Sequence, residues 1–216
     1  ANAGGATVFP SNQYNLSQDY GPETGAQRQT LFAGGQLRFP YGLTSDFFFS
    51  AQSGLPYNIT TGADSNGDGQ YNDRPYLVPA ALDNSSTLNT IKTIPGCGTF
   101  APPGSQPAGS QLAPFNVCTA PHFFYLQLSL SRSFAIGPRP KAAAAATGAK
   151  PSAPAERPYH LSFAVEADNI FNHTNAGLPV GVLSSSRFGQ SLSLNTVFSP
   201  NTASNRVINL RTTFTF

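Results

Sequence analysis

Five stretches of this chain alternate apolar and polar residues with a period of two, and that alternation commits them to β-strands with two unlike faces. In QTLFAGGQLRFP, Leu31, Ala33, Leu37 and Phe39 share one parity, and Thr30, Gln36 and Arg38 the other; Phe32 breaks the pattern. After Pro40, Tyr41 and Gly42, the stretch LTSDFFFSAQ sets Leu43, Phe47, Phe49 and Ala51 against Thr44, Asp46, Ser50 and Gln52, so these two strands form a hairpin. HFFYLQLSLSRSF sets Phe124, Leu126, Leu128 and Leu130 against Tyr125, Gln127, Ser129 and Ser131. YHLSFAVEADNIF sets Leu161, Phe163, Val165 and Ala167 against His160, Ser162, Glu166 and Asp168. In NRVINLRTTFTF, Ile208, Leu210, Phe214 and Phe216 alternate with Asn209, Arg211, Thr213 and Thr215.

The rest of the composition agrees with an all-β chain. Of 216 residues 39% are hydrophobic and 10% charged, which is apolar enough to fold, and 20 Gly with 19 Pro supply turns. The links between strands are unequal: FPYG is short, whereas 53–121 and the stretch from Asn172 to about Asn205 are long and rich in turn residues. RFGQSLSLNTVF hides a candidate short strand in the second long link. Residues 1–28 read as an N-terminal extended segment and 137–158 as an Ala/Pro-rich linker, within a single β domain over 1–216. Antiparallel strands with long loops, five to six in number, fit a partial outer-membrane-type barrel. They also fit a soluble sandwich or an open sheet completed by neighbouring chains, but the final Phe216 and the Ser, Thr, Gln and Arg on the polar faces favour the barrel. If Phe216 lies at the periplasmic end, FPYG falls on the periplasmic side and 53–121 outside, as outer-membrane barrels require; the long alanine-rich link runs against that scheme.

A net charge of +2 gives no electrostatic footprint for nucleic acid. Cys97 and Cys118 lie in one Pro/Gly/Ser-rich loop with no neighbouring His, which suits a disulfide in an oxidising compartment, against two free thiols. No secretory signal opens the chain, so the expectation is a signal already removed or a longer parent product.

The densest cluster of side-chain oxygens is ADSNGDGQYNDRP. Asp64, Asn66 and Asp68 stand at positions 1, 3 and 5 of a D-x-N-x-D-G pattern, Gly69 at the sixth, and Gln70 at the seventh, where a backbone carbonyl serves. Calcium is the expected cofactor, stiffening an external loop. The twelfth position is Pro75 rather than Glu, so affinity is expected to be modest, with Asp73 supplying the later carboxylate. The alternative is an Asx-rich turn that binds nothing. His122, His160 and His173 show no ligand spacing, and Glu166 with Asp168 reads as a polar strand face before it reads as a glycosidase pair. No nucleophile or phosphate-loop motif is present, so no enzyme is expected. Asn15, Asn58, Asn84 and Asn172 begin N-x-S/T sequons, candidate glycosylation positions of a motif short enough to recur by chance.

The string FFFSAQSGLPYNITTGADSNGDGQYNDRPYLVP, followed by LQLSLSRSFAIG, FAVEADNIFNHTN, a loop with RFGQ and a strand ending in Phe, resembles the C-terminal barrel segment of TonB-dependent outer-membrane receptors. The similarity is greatest to large receptors with a carboxypeptidase-regulatory-like N-terminal domain, and runs from about Asp19 to Phe216. The resemblance implies a barrel of about 22 strands, filled by a plug, importing scarce ligands with energy delivered by TonB at the bacterial outer membrane or surface. Five strands cannot close alone, so two expectations follow. The partner is the remainder of a receptor barrel, or it is further copies of the chain in an extracellular filament joined by strand addition.

Overall fold

The computed structural model describes residues 9–80, 90–138, 157–197 and 203–216. The alanine run, most of the Ala/Pro-rich linker and Asn84 lie outside the described residues. Among these residues the regular structure is antiparallel β, with two short 3-10 turns at Leu16–Asp19 and Pro40–Gly42 and no α-helix. They divide into two compact units, one from within Ala1–Thr30, Gln52–Phe123 and Thr174–Ala203, the other from Leu31–Ala51, Phe124–His173 and Ser204–Phe216.

The second unit is built on a five-stranded sheet whose strands coincide with the five alternating segments. We number all strands in chain order: β1 Thr30–Phe39, β2 Leu43–Gln52, β9 Phe123–Ile136, β10 Tyr159–Asp168 and β11 Val207–Thr215, in the spatial order β1-β2-β9-β10-β11. The β1–β2 connection is the 3-10 turn at Pro40–Gly42, in which Tyr41 takes φ 66°. Register is continuous across three strands: Val165 pairs with Leu130 on one side and Leu210 on the other, and Leu161 with Phe134 and Phe214. Among the described residues β1 and β11 each have a neighbour on one side only.

The first unit is made of short strands that the period-2 pattern could not reveal, because two to four residues hold too little alternation. Within the long loop over 53–121 lie β3 Pro56–Tyr57, β4 Tyr76–Val78, β5 Lys92–Ile94, β6 Gly98–Ala101, β7 Gln111–Leu112 and β8 Cys118–Thr119. They form a β3-β8 ladder and a four-stranded sheet ordered β5-β6-β4-β7. Tyr57, Ile59, Ile94, Phe100, Ala113, Cys118 and Leu183 make the core, with Phe188 set edge-on to Phe100 at 6.2 Å. Gly54 is required where the chain enters this unit, because a Cβ there would stand 1.7 Å from the carbonyl oxygen of Ala120. Cys97 and Cys118 are bonded, with Cα atoms 5.3 Å apart, closing a loop whose restriction of the unfolded chain is worth about 3 kcal/mol. The expected strand in RFGQSLSLNTVF is reduced to isolated bridges, Ala176 to Leu194 and Pro179 to Ser191.

Candidate functional site

Alternation gives the five-stranded sheet one apolar and one polar face. On the apolar face the paired rows are Leu128/Ala167/Ile208, Leu130/Val165/Leu210, Arg132/Phe163/Thr212 and Phe134/Leu161/Phe214. Leu130, Phe134, Phe163, Val165, Ile208, Leu210 and Phe214 are all exposed, as are Leu31 and Leu37 of β1. A run of exposed aliphatic and aromatic side chains this long is unfavourable against water and favourable against hydrocarbon.

Aromatic rings bracket this band at both ends. Toward the Asp168 end of the sheet, Phe124 contacts Phe49 edge-on at 5.2 Å and Phe171 at 5.5 Å, with the His173 ring at 6.1 Å. Toward the Pro40–Gly42 turn, Tyr159 stacks on Phe214 at 5.9 Å, Phe214 on Phe216 at 6.0 Å, and Phe134 meets Phe163 at 6.2 Å. From Phe124 to Phe134 a strand runs about 33 Å, or about 25 Å along a barrel axis at the usual ~40° tilt. That is the height of the apolar belt of an outer-membrane barrel, bounded by aromatic girdles that here contain Phe and Tyr and no Trp.

The opposite face is polar and tied across strands. Tyr125, almost wholly buried, donates its hydroxyl to Asp168 Oδ1 at 2.9 Å, and Asn209 Nδ2 donates to Asp168 Oδ2 at 3.5 Å. Gln127 Nε2 donates to Glu166, and Ser162 to Ser133 at 3.0 Å. The two carboxylates that share the β10 face therefore serve as cross-strand acceptors. Phe32, the exception in the β1 pattern, stacks on Phe48 at 6.4 Å, and Phe48 lies 6.3 Å from Tyr125. An aromatic row thus closes the polar face at its Asp168 end.

In the first unit the Asp-rich segment is a tight self-bonded loop. Gly67 and Gly69 adopt φ 76° and 81°, conformations open to glycine at little cost, and these turn successive amides inward. Asp64 Oδ1 accepts from Gly67 N at 2.7 Å and Asp68 N at 3.2 Å, and Oδ2 from Gly69 N at 2.9 Å. The Gly69 amide, with those of Gly67, Asp68 and Asn66, holds the Asp64 carboxyl below the usual carboxylate range against the opposing effect of desolvation. Asp68 Oδ1 accepts from Gln70 N at 2.8 Å. Asp73, buried, accepts from Ser65 N at 2.5 Å, Asn66 N at 3.2 Å and Asn66 Nδ2 at 2.9 Å.

The five residues expected to bind calcium lie in one loop, in which Gln70 donates its backbone N–H to Asp68. Asp64 and Asp73 already have donors on both carboxylate oxygens. Among the described residues no group of three or more His, Cys, Asp or Glu side chains converges on a metal position. The donor chemistry still suits a hard cation, and Asn72 Oδ1 is buried without a hydrogen-bond donor.

The same loop grips the N-terminal segment, which sequence reasoning missed. Asn66 Nδ2 donates to Ser11 O at 2.9 Å, and Asn72 Nδ2 to Phe9 O at 3.0 Å and Pro10 O at 3.1 Å. Arg74, only 4% exposed, donates from Nη1 to Ala113 O and from Nη2 to Gln18 O, each at 2.7 Å. Its Nη2 lies 3.4 Å from Asp19 Oδ1 and 3.3 Å from Ser11 Oγ. Burial pulls the Arg74 pKa below its ordinary value, and Asp19 opposes that shift.

Three of the sequon asparagines lie among the described residues. Asn15 and Asn172 are exposed and Asn58 half-buried. Their side-chain oxygens accept from Ser17 Oγ at 2.6 Å, Arg206 N at 2.8 Å and Asn116 N at 3.4 Å respectively.

A family model described as an outer membrane beta barrel domain matches residues 1–208. No curated protein and no solved structure gives a significant match. The apolar belt, its two girdles and the cross-linked polar face are what such a match requires of the strands, and the chain belongs to the outer membrane beta barrel domain family, with its place in the outer membrane.

Proposed function

We propose that the chain forms part of the wall of a TonB-dependent receptor barrel, without enzymatic activity, and that its polar face lines the route of an imported ligand. The observation that carries this reading is the two-faced sheet in which, among the described residues, β1 and β11 each pair on one side only. A wall sector of a large barrel has that form, and the resemblance of the Asp-rich and EADNIFNHTN motifs names the receptor type. The test is accumulation of ferric chelates, cobalamin and oligosaccharides in cells with and without the parent gene, and with TonB disabled. Loss of the same ligand in both backgrounds is expected; unchanged accumulation of every ligand refutes the uptake role.

A second reading draws on the same open edges: copies of the chain add strands to one another in an extracellular filament. Detergent-free filaments seen by electron microscopy would favour it over the receptor wall. In either assembly, calcium held by Asp64, Asn66, Asp68, Gln70 and Asp73 would stiffen the loop that grips residues 9–19. The oxygen-rich donor set and the orphaned Asn72 Oδ1 support that assignment.

A further inference from the structure

One charged side chain interrupts the apolar face of the five-stranded sheet. Along β1, β2, β9, β10 and β11 the residues of apolar parity are otherwise uncharged; Arg132 is the exception. It stands opposite Phe163, close to the aromatic girdle at the Pro40–Gly42 end, and Phe163 pairs in turn with Thr212 of β11. Its guanidinium lies over the Phe134 ring, 4.5 Å from the centroid, which directs it along the strand toward that girdle. An arginine at the middle of a lipid-facing barrel surface costs about 2–4 kcal/mol, falling to about 0–1 near the interface. The lean over Phe134 is therefore the favourable one, because it brings the cation toward the headgroup level.

We propose that Arg132, supported by Phe134 and Phe163, is a binding site for the phosphate of a membrane phospholipid in the leaflet at the short-turn, periplasmic end of the barrel. No carboxylate shares this face within the described strands, so the guanidinium has no protein counter-charge there. A second copy docking through the same face would oppose arginine to arginine. A phospholipid phosphate supplies the missing anion in the planar, two-point geometry that guanidinium prefers, and its acyl chains lie along Leu130, Val165 and Leu210. The inference rests on the barrel-wall reading of the apolar face.

The test uses the full-length protein extracted from outer membranes, reconstituted in nanodiscs of phosphatidylethanolamine and phosphatidylglycerol, with retained phospholipid counted by native mass spectrometry. Arg132→Leu should lower occupancy of the most tightly held lipid roughly tenfold, as loss of one charge-assisted contact predicts. Arg132→Lys should keep an intermediate share, and Arg187→Leu, in a loop of the first unit, should match the native protein. Excess inorganic phosphate should leave the lipid in place. Equal retention by Arg132→Leu and the native protein overturns the site while leaving the membrane face standing, and so does displacement by free phosphate. Failure of every form to hold lipid overturns both together.

Discussion

Replacing Arg74 by methionine keeps most of the side-chain volume and removes the cation that fastens the N-terminal segment to the Asp-rich loop. The cost follows from the contacts. Ala113 O, in a buried bond, and Gln18 O, in a part-buried one, each lose a donor from a charged group, at about 1 kcal/mol apiece. The Asp19 carboxylate loses its partner; its side chain is 20% exposed and still accepts from Ser11 N and Oγ, so this adds about 1 kcal/mol rather than the larger penalty of a sealed charge. The sum is about 3 kcal/mol, which speeds opening-limited exchange about a hundredfold. Hydrogen exchange at two amides reads this directly. Thr61 N donates to Asp73 O at 2.7 Å and Ala113 N to Pro75 O at 2.9 Å, on either side of Arg74 in the chain. Both should exchange about a hundredfold faster in Arg74→Met, and amides of the β10–β11 ladder should be unchanged. An acceleration of less than roughly fivefold at Thr61 and Ala113 would mean that the ion pair and its bonds contribute little, refuting the reasoning.

Two further outcomes are expected. Because the Asp64 carboxyl is held below its unfolded value, it favours the folded loop at pH above about 4, and that contribution is lost as pH falls through the lower folded value. Backbone amide shifts of Gly67 and Gly69 should titrate in that acid window; Asp64→Asn should abolish the titration and weaken any calcium binding measured by calorimetry, whereas an unchanged titration would place the responsible carboxylate elsewhere. Val165→Arg, in the centre of the apolar belt, should destabilise the protein in bilayers by about 2–4 kcal/mol, whereas Ser162→Arg on the polar face should cost under about 1 kcal/mol by the same urea titration. Equal costs would reverse the assignment of the faces.

The five-stranded sheet was legible because each strand is long enough to show its alternation, and even the misfit Phe32 marks the aromatic row on the polar face. The first unit was not legible in the same way. Its strands are two to four residues long, and its core joins Tyr57 and Ile59 to Leu183 and Phe188 from a distant part of the chain. Local spacing drew attention to Asp64, Asn66 and Asp68, and the loop does gather them. It could not show that Arg74, in the adjoining NDRP, is buried against Asp19. A pairing between residues as distant in sequence as Asp19 and Arg74 leaves no periodic trace, and a polar Asx-rich neighbourhood reads as surface.

The division of the chain bears on the order in which it can be assembled. Each unit alternates with the other along the sequence, so that Thr174–Ala203 completes a core begun at Tyr57, and Ser204–Phe216 then supplies the strand that pairs with β10. No stretch emerging early from synthesis or export contains a whole unit. Loop closures of this length are slow and leave strand edges bare while they are pending. Until Ser204–Phe216 has been delivered, β10 therefore keeps one edge bare, so the order in which this stretch is exported limits the order in which the sheet can be completed.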